Sequence, residues 1–262
     1  MAIPTYNRSK YYRIMDRTQS NYSNQYKRLL KNGKRADNIL IYYSISLIVY
    51  SLTVNYFEEY FSERVLSFSS IILSIIVLTF SIINSNAAYP ERAAKIQDSL
   101  NKVKQMKREV GDLPANISFE GDPSQEQLCA KCKGKDAETR ACEAASACFR
   151  LEEIKARYDQ VVSGTEIRDD LDFYFTIRNL CETYNLNWRN GKMLAPKNGD
   201  PKELTAEEKA EIEEIRGYIA ENNPVHQRRY LAATKAVHAL LYFAPVLVYA
   251  LSFAAKRLGI FN

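Results

Sequence analysis

Two stretches decide the fold of this chain: residues 39–57, ILIYYSISLIVYSLTVNYF, and residues 65–83, VLSFSSIILSIIVLTFSII. Neither contains a charged side chain, and each has about 19 residues, close to the ~20 that a helix needs to cross the hydrocarbon of a bilayer. Only residues 58–64 separate them. The pair therefore predicts a transmembrane helical hairpin.

Lysine and arginine residues flank the hairpin on both sides. They are Arg17, Lys27, Arg28, Lys31, Lys34 and Arg35 before it, and Arg92, Lys95, Lys102, Lys104, Lys107 and Arg108 after it. The short loop carries Glu58, Glu59 and Glu63 against a single Arg64. Because such cations accumulate on the cytoplasmic side of a membrane, both flanks are predicted to be cytoplasmic and the acidic loop external. The net charge of +5 is concentrated in these flanks, which fits a membrane surface better than a nucleic acid. The polar N-terminus has no signal-peptide core, so the first span is expected to be an uncleaved anchor.

A third charge-free stretch occupies residues 236–255 and contains His238 and Pro245. Cations stand on both sides of it, at Arg228, Arg229 and Lys235 before and at Lys256 and Arg257 after. Its length predicts a third transmembrane helix. The alternative is a buried or interfacial helix that packs on the hairpin.

The predicted fold is all-α: a transmembrane helical hairpin, a cytoplasmic helical region and a third C-terminal membrane helix. The predicted segments are a basic amphipathic helix (1–38), the hairpin (39–83), a cytoplasmic helical region with a cysteine-containing insertion (84–180), a polar loop and charged helix (181–234) and the third span (236–255). The second span is predicted to continue without a break into a helix that ends near residue 110, and Gly33 to mark a bend. The apolar stripe of that continuation comprises Ala93, Ile96, Leu100, Val103 and Met106. Further helices are predicted at 138–162, 169–184 and 206–221, the last opened by Thr205 and Glu208 at capping-box spacing.

Small polar residues recur along one face of each span of the hairpin. They are Ser44, Ser51 and Asn55 in the first span and Ser67, Ser70, Ser74 and Ser81 in the second. Such residues allow membrane helices to approach and hydrogen-bond one another. They also line water-filled pores, which here would need several copies of the hairpin. The sequence leaves both interpretations open.

The chemistry of the chain argues against several classes of protein. Neither span of the hairpin holds a charged residue of the kind that proton pumps, voltage sensors and ion-coupled transporters need. No phosphate-binding loop, dinucleotide motif or zinc-protease motif occurs. We therefore predict a protein that is not an enzyme, with no catalytic residues and no required cofactor.

A group of cysteines follows the hairpin. Cys129 and Cys132 have the spacing of half a zinc site, which Cys142 and Cys148 could complete. The alternative is a set of reduced cytoplasmic thiols.

The order of these parts resembles the SLATT domain, the SMODS and SLOG-associating two-transmembrane effector. The similarity is strongest at 22–30 (YSNQYKRLL), at 81–93 and at 158–170, and spans residues 15–180. The residues that carry it are Tyr89, Arg92, Ala93, Tyr158 and Asp169. An Asn-His pair frequent in family members is missing from the last segment, so the order of elements carries more of the resemblance than any residue.

The resemblance implies a pore-forming effector of bacterial antiphage defence that disrupts the membrane and causes growth arrest or death. It implies a multi-pass protein of the bacterial inner membrane with a cytoplasmic N-terminus, partnered by the lipid bilayer, further copies of itself and a sensor or source of a nucleotide signal. The subtype is similar to those encoded beside reverse transcriptases, and no direct binding of nucleic acid is expected. The alternative is a membrane-anchored scaffold whose helical cytoplasmic region recruits partners.

Overall fold

The computed structural model describes residues 6–57, 59–114, 137–167, 169–194, 206–221 and 224–259, with the side chains of 137–145, 206–207 and 224–226 excepted. The helices are α1 (Arg8–Tyr56), α2 (Glu63–Ala87), α3 (Tyr89–Asp112), α4 (Ala137–Ser163), α5 (Asp170–Thr183), α6 (Ala206–Glu221) and α7 (Pro224–Arg257). Within these described ranges, the β-type pairing is one isolated bridge between Leu186 and Met193. The all-α prediction is confirmed.

Helix α1 joins the basic N-terminal segment and the first span in one element. Gly33, where the sequence predicted a bend, does not interrupt the helix. A Cβ atom at Gly33 would lie 3.2 Å from the Cβ of Tyr89, which is closer than most such contacts. The glycine therefore lets Tyr89 approach the backbone of α1.

The second span and the helix after it are two helices, so the prediction of one continuous helix is wrong. Helix α2 ends at Ala87, and Ala88 adopts a left-handed conformation with φ of 43°. Pro90 explains the break, because it has no N–H for the helical ladder and its ring would collide with the carbonyl of Asn86 in a continuous helix. Pro90 instead occupies the first turn of α3, where proline is well tolerated.

The other helices begin and end close to the predicted residues. Helix α4 ends at Ser163, just before Gly164, and α6 has the predicted bounds. Pro224 opens α7, as its fixed φ allows at the first helical position. Thr205 of the predicted capping box lies outside the described residues.

The chain divides into two compact units. The first, here called the helical unit, comprises Met1–Lys27 and Ala93–Thr176. Its core includes Met15, Tyr22, Ala93, Ile96, Leu100, Val103, Met106, Val110, Leu151 and Ile154. The predicted apolar stripe of α3 is thus buried throughout. Ion pairs of Asp16 with Lys107 and of Glu109 with Arg157 connect α3 to α1 and α4 at the edge of this core.

The second unit, here called the membrane unit, comprises Arg28–Arg92 and Ile177–Asn262. Its main core consists of Ile39, Tyr43, Tyr50, Leu66 and Leu73, against which Leu241, Val248 and Tyr249 of α7 pack. A separate apolar cluster joins the end of α5 to α6 and consists of Cys181, Leu186, Ile212, Ile215 and Ile219. The three isoleucines lie on one side of α6, at spacings of three and four residues.

Three of the described helical segments are long and apolar enough to cross a membrane: one in α1, one in α2 and one in α7. Large apolar side chains such as Ile71, Leu78 and Leu240 are more than 60% exposed on their surface. Apolar area of this extent is not stable in water and fits the hydrocarbon of a bilayer. The third predicted span is therefore present as a helix of the right length and composition.

Candidate functional site in the membrane unit

Tyrosine hydroxyls of α1 donate hydrogen bonds to the backbone of α7. Tyr43 donates to the carbonyl of Leu241 at 2.8 Å, and Tyr42 donates to that of Tyr242 at 3.0 Å. One turn further along α7, the hydroxyl of Tyr50 donates to the carbonyl of Pro245. Two membrane helices are thus joined by bonds between side chain and backbone as well as by packing.

Pro245 explains why one of these carbonyls needs a donor from outside α7. In an α-helix the N–H of residue 245 would donate to the carbonyl of Leu241, and proline has no such N–H. An unsatisfied carbonyl is especially unfavourable in a bilayer, where no water can replace the missing bond. The hydroxyl of Tyr43 supplies that bond.

The end of the membrane unit near the α1–α2 loop is here called the loop end. Contacts at this end fix the direction of α7. The hydroxyls of Thr53 and Tyr249 lie 3.0 Å apart, and the backbone N–H of Ser62 donates to Oγ of Ser252 at 3.1 Å. Residue numbers in α1 and α7 therefore increase together from the opposite end to the loop end, so the two helices are parallel. From 241 to 252 the bonded stretch of α7 rises about 16 Å, which is half of a bilayer core. A helix bonded along α1 over this length is oriented like α1, and its length and composition fit a third span.

The two helices of the hairpin are also joined at the opposite end. There the amide of Asn84 in α2 donates to the carboxylate of Asp37 in α1 at 3.1 Å. The hairpin is thus held by a polar contact just beyond the apolar spans.

Six of the seven small polar residues predicted from the sequence are exposed on the surface of a single chain. Ser70 is half-buried, and the exposed ones are Ser44, Ser51, Asn55, Ser67, Ser74 and Ser81. Their polar groups donate within their own helices where a bond is described: Ser44 to the carbonyl of Leu40 at 2.8 Å, and Ser74 to that of Ser70 at 2.9 Å. Packing between helices and the lining of a pore both stay predictions for these residues.

The small hydroxyl side chains that do lie between the helices were missed by the sequence analysis. They are Ser46, Thr53, Ser62 and Ser252, all buried. Ser46 and Thr53 lie on the same side of α1 as Ile39, Tyr43 and Tyr50. Successive residues of this set are alternately four and three positions apart. That coiled-coil spacing was the signal that could have identified the buried face.

Tyr89 and Arg92, which carry part of the family resemblance, lie at the joint between α2 and α3. The guanidinium of Arg92 donates to the carbonyl of Ala87 at 3.3 Å, so it satisfies the last carbonyl of α2. Tyr89 lies beside Gly33 of α1, where an added Cβ atom would come within 3.2 Å of it. Ala93, the third residue of this motif, is buried in the helical unit.

Tyr158 and Asp169 have structural roles within the helical unit. The hydroxyls of Tyr158 in α4 and Thr18 in α1 lie 2.7 Å apart. Asp169 precedes α5 as its N-cap: its carboxylate accepts from the N–H of Leu171 at 3.4 Å, and its own N–H donates to Asp172 at 3.2 Å. This reciprocal pair is a capping box, which fixes the start of α5.

The zinc site predicted at the cysteines stays a prediction. Cys129 and Cys132 lie outside the described residues, as does the side chain of Cys142. Cys148 is a buried free thiol whose pKa is raised by burial. No group of three or more His, Cys, Asp or Glu side chains that could hold a metal occurs in the described part of the chain.

Comparison with known proteins gives one family. A sequence model of the SMODS and SLOG-associating 2TM effector domain family 5 matches residues 3–134, half of the chain. The match includes α1, α2 and α3 and ends before α4, so the resemblance at 158–170 and the whole of α7 lie outside it. It includes Cys129 and Cys132 and leaves the other cysteines outside. No curated protein and no solved structure matches the chain.

Proposed function

Because this chain belongs to family 5 of the SMODS and SLOG-associating 2TM effector domains, we propose that it forms a membrane pore when it is activated. It is a membrane effector of the kind that defence systems use, with helices able to span the bilayer. We further propose that activation opens this pore in the bacterial inner membrane, so that the infected cell stops growing or dies. No catalytic step is part of this proposal.

The observation that carries the proposal is the outward position of the small polar residues. Ser74 and Ser51 face away from the core of their own chain, although each lies in a charge-free span. The described core of one copy is filled by Tyr43, Tyr50 and Leu73. A pore would therefore form between copies, with these hydroxyls turned toward its water.

The proposed orientation follows from the cations that flank the spans. Lys31 and Lys34 of α1 and Lys235 of α7 are exposed beyond the end of the membrane unit that lies opposite the loop end. We place this end in the cytoplasm, because lysine and arginine are retained on that side. Because α7 is parallel to α1, the end of α7 near Arg257 then lies outside.

The proposed activating partner is a sensor or a source of a nucleotide signal. A nucleotidyltransferase or a reverse transcriptase encoded beside this chain would support the proposal and would suggest the trigger. Homo-oligomers and the bilayer complete the set of proposed partners.

High-level expression of the full chain in bacteria tests the proposal. At high concentration, mass action favours the association of several copies, which the proposed pore requires. We expect a potential-sensitive dye to report depolarisation and an impermeant dye to enter the cells. Ser74→Phe should change both signals, whereas Ile75→Phe, on the adjacent apolar face of α2, should not. Unchanged potential and dye exclusion, with the protein shown to be in the membrane, would count against a pore.

The scaffold alternative is favoured by the separate core of the helical unit, which offers a surface for partners without any pore. That unit includes residues 1–27 as well as 93–176, so a continuous fragment that contains it also contains the hairpin. A scaffold predicts that Ser74→Phe and Ile75→Phe act alike and that neither changes membrane potential.

A further inference from the structure

We propose that the part of α7 before Pro245 is a hinged arm, and that the hydroxyl of Tyr43 is the latch that holds it on the hairpin. The first step of the argument is the bond itself. Tyr43 donates to the carbonyl of Leu241, the one carbonyl of α7 whose helical donor Pro245 removes. The hinge and the latch are therefore one linked feature of the structure.

The two halves of α7 are fastened in different ways. The half after Pro245 is held at the loop end, where Ser252 is fully buried and shares several hydrogen bonds with Ser62. The half before Pro245 is bonded to the hairpin through the hydroxyls of Tyr42 and Tyr43. Proline weakens the connection between the two halves, and sharp bends of helices concentrate at such positions. Movement at Pro245 would thus swing the first half while the second stays in place.

The surroundings of the arm favour such a movement. Leu240 and Phe243 are 65% and 63% exposed, so the arm contacts the hairpin along a narrow strip that includes Leu241. A small apolar cavity beside that strip is lined by Ile39, Tyr43, Ile76, Phe80 and Leu241. Release of the arm breaks two bonds between neutral groups and leaves no buried charge uncompensated.

The consequence for activity rests on the proposed pore. Helix α7 lies outside the residues that the two-helix family shares, so the latch is an addition to the effector domain. Swinging the arm away uncovers the faces of α1 and α2 that carry Tyr43 and Ile76, and these faces become available to another copy. The latched state is then the closed state of the protein.

Hydrogen exchange of the full chain in lipid nanodiscs tests the latch without requiring a pore. Tyr43→Phe removes one hydroxyl and should speed exchange of the amides at 236–244 roughly 3- to 20-fold, the range expected for a hydrogen bond between membrane helices. Amides at 246–257 should not change. Pro245→Ala restores the helical donor, so in that background Tyr43→Phe should have no effect.

Tyr56→Phe is the matched control, because this tyrosine is 76% exposed on the same helix. Equal exchange at 236–244 in Tyr43→Phe and Tyr56→Phe would overturn the latch, as would an effect of Tyr43→Phe that persists in the Pro245→Ala chain. Dye release from liposomes is measured separately. Faster exchange without added leakage would support the latch and contradict the pore, which keeps the two proposals distinguishable.

Discussion

Ser62 and Ser252 exchange hydrogen bonds at the loop end of the membrane unit. The N–H of Ser62 donates to Oγ of Ser252 at 3.1 Å, and that hydroxyl donates to the carbonyl of Ser62 at 3.3 Å. Both residues are buried, and Phe61 packs beside them against the rings of Tyr249 and Phe253. This contact binds the start of α2 to the third span.

We therefore expect Ser62→Cys with Ser252→Cys to form a disulfide under mild oxidation in membranes, detected as a mobility shift on a non-reducing gel. Replacing Ser252→Cys by Leu251→Cys, one residue away and 64% exposed, should abolish the shift. Each single cysteine serves as a control for the native thiols. Equal cross-linking of both pairs would contradict the packing of α7.

Gly33 and Gly217 predict opposite results for the same substitution. Both lie inside helices, where Gly→Ala stabilises a protein by about 1 kcal/mol if there is room for the methyl group. Gly217 has open space around it, whereas a methyl group at Gly33 would crowd Tyr89 at 3.2 Å. We expect Gly217→Ala to raise the melting temperature in detergent, and Gly33→Ala to leave it unchanged or lower it.

A larger side chain at the same site sharpens this test. Gly33→Leu should destabilise the protein by about 1–3 kcal/mol, as overpacking usually does. A gain in melting temperature from both alanine substitutions would show that Tyr89 moves freely and that the close approach has no structural role.

A feature of this structure could be predicted from the sequence where neighbouring residues determine it. The three spans were predictable because length and charge decide them, and the break at Ala88 could have been predicted from Pro90 alone. The bond from Tyr43 to Leu241 could not, because it depends on which face of α1 meets α7, residues almost 200 positions apart in sequence. The roles proposed for Ser74 and Ser51 involve other copies of the chain, which the sequence of one copy does not describe.

The pair of Glu109 and Arg157 makes the helical unit sensitive to acid. The hydrogen bond from Arg157 holds the pKa of Glu109 below its ordinary value. A carboxylate whose pKa is lower in the folded than in the unfolded chain stabilises the fold at pH values above its pKa in the unfolded chain. That stabilisation is lost as the pH falls through its pKa in the folded chain. Because Arg157 is 42% exposed, water screens much of the attraction.

We expect Glu109→Gln to lower the melting temperature by roughly 1–3 °C at pH 7 and to have a smaller effect near pH 3, because the stabilisation is lost as the pH falls through the lowered pKa of Glu109. Asp98→Asn provides the comparison, since its ion pair with Lys102 on the same helix is more than half exposed. A difference between wild type and Glu109→Gln that is the same at both pH values would exclude the ion pair as its cause.

Cys181 should be almost inert toward alkylating reagents. Burial raises the pKa of its thiol to about 11, with a smaller contribution from the charge of Glu182. The reactive species is the thiolate, so at pH 7 its fraction should be about 300-fold lower than for an ordinary cysteine with a pKa of about 8.5. We expect peptide mass spectrometry to find Cys181 unmodified by iodoacetamide in the folded protein and fully modified in denaturant. Rapid modification of the folded chain would show that the cluster of Cys181 with Ile212 and Ile215 opens, and that α6 is not held against the end of α5.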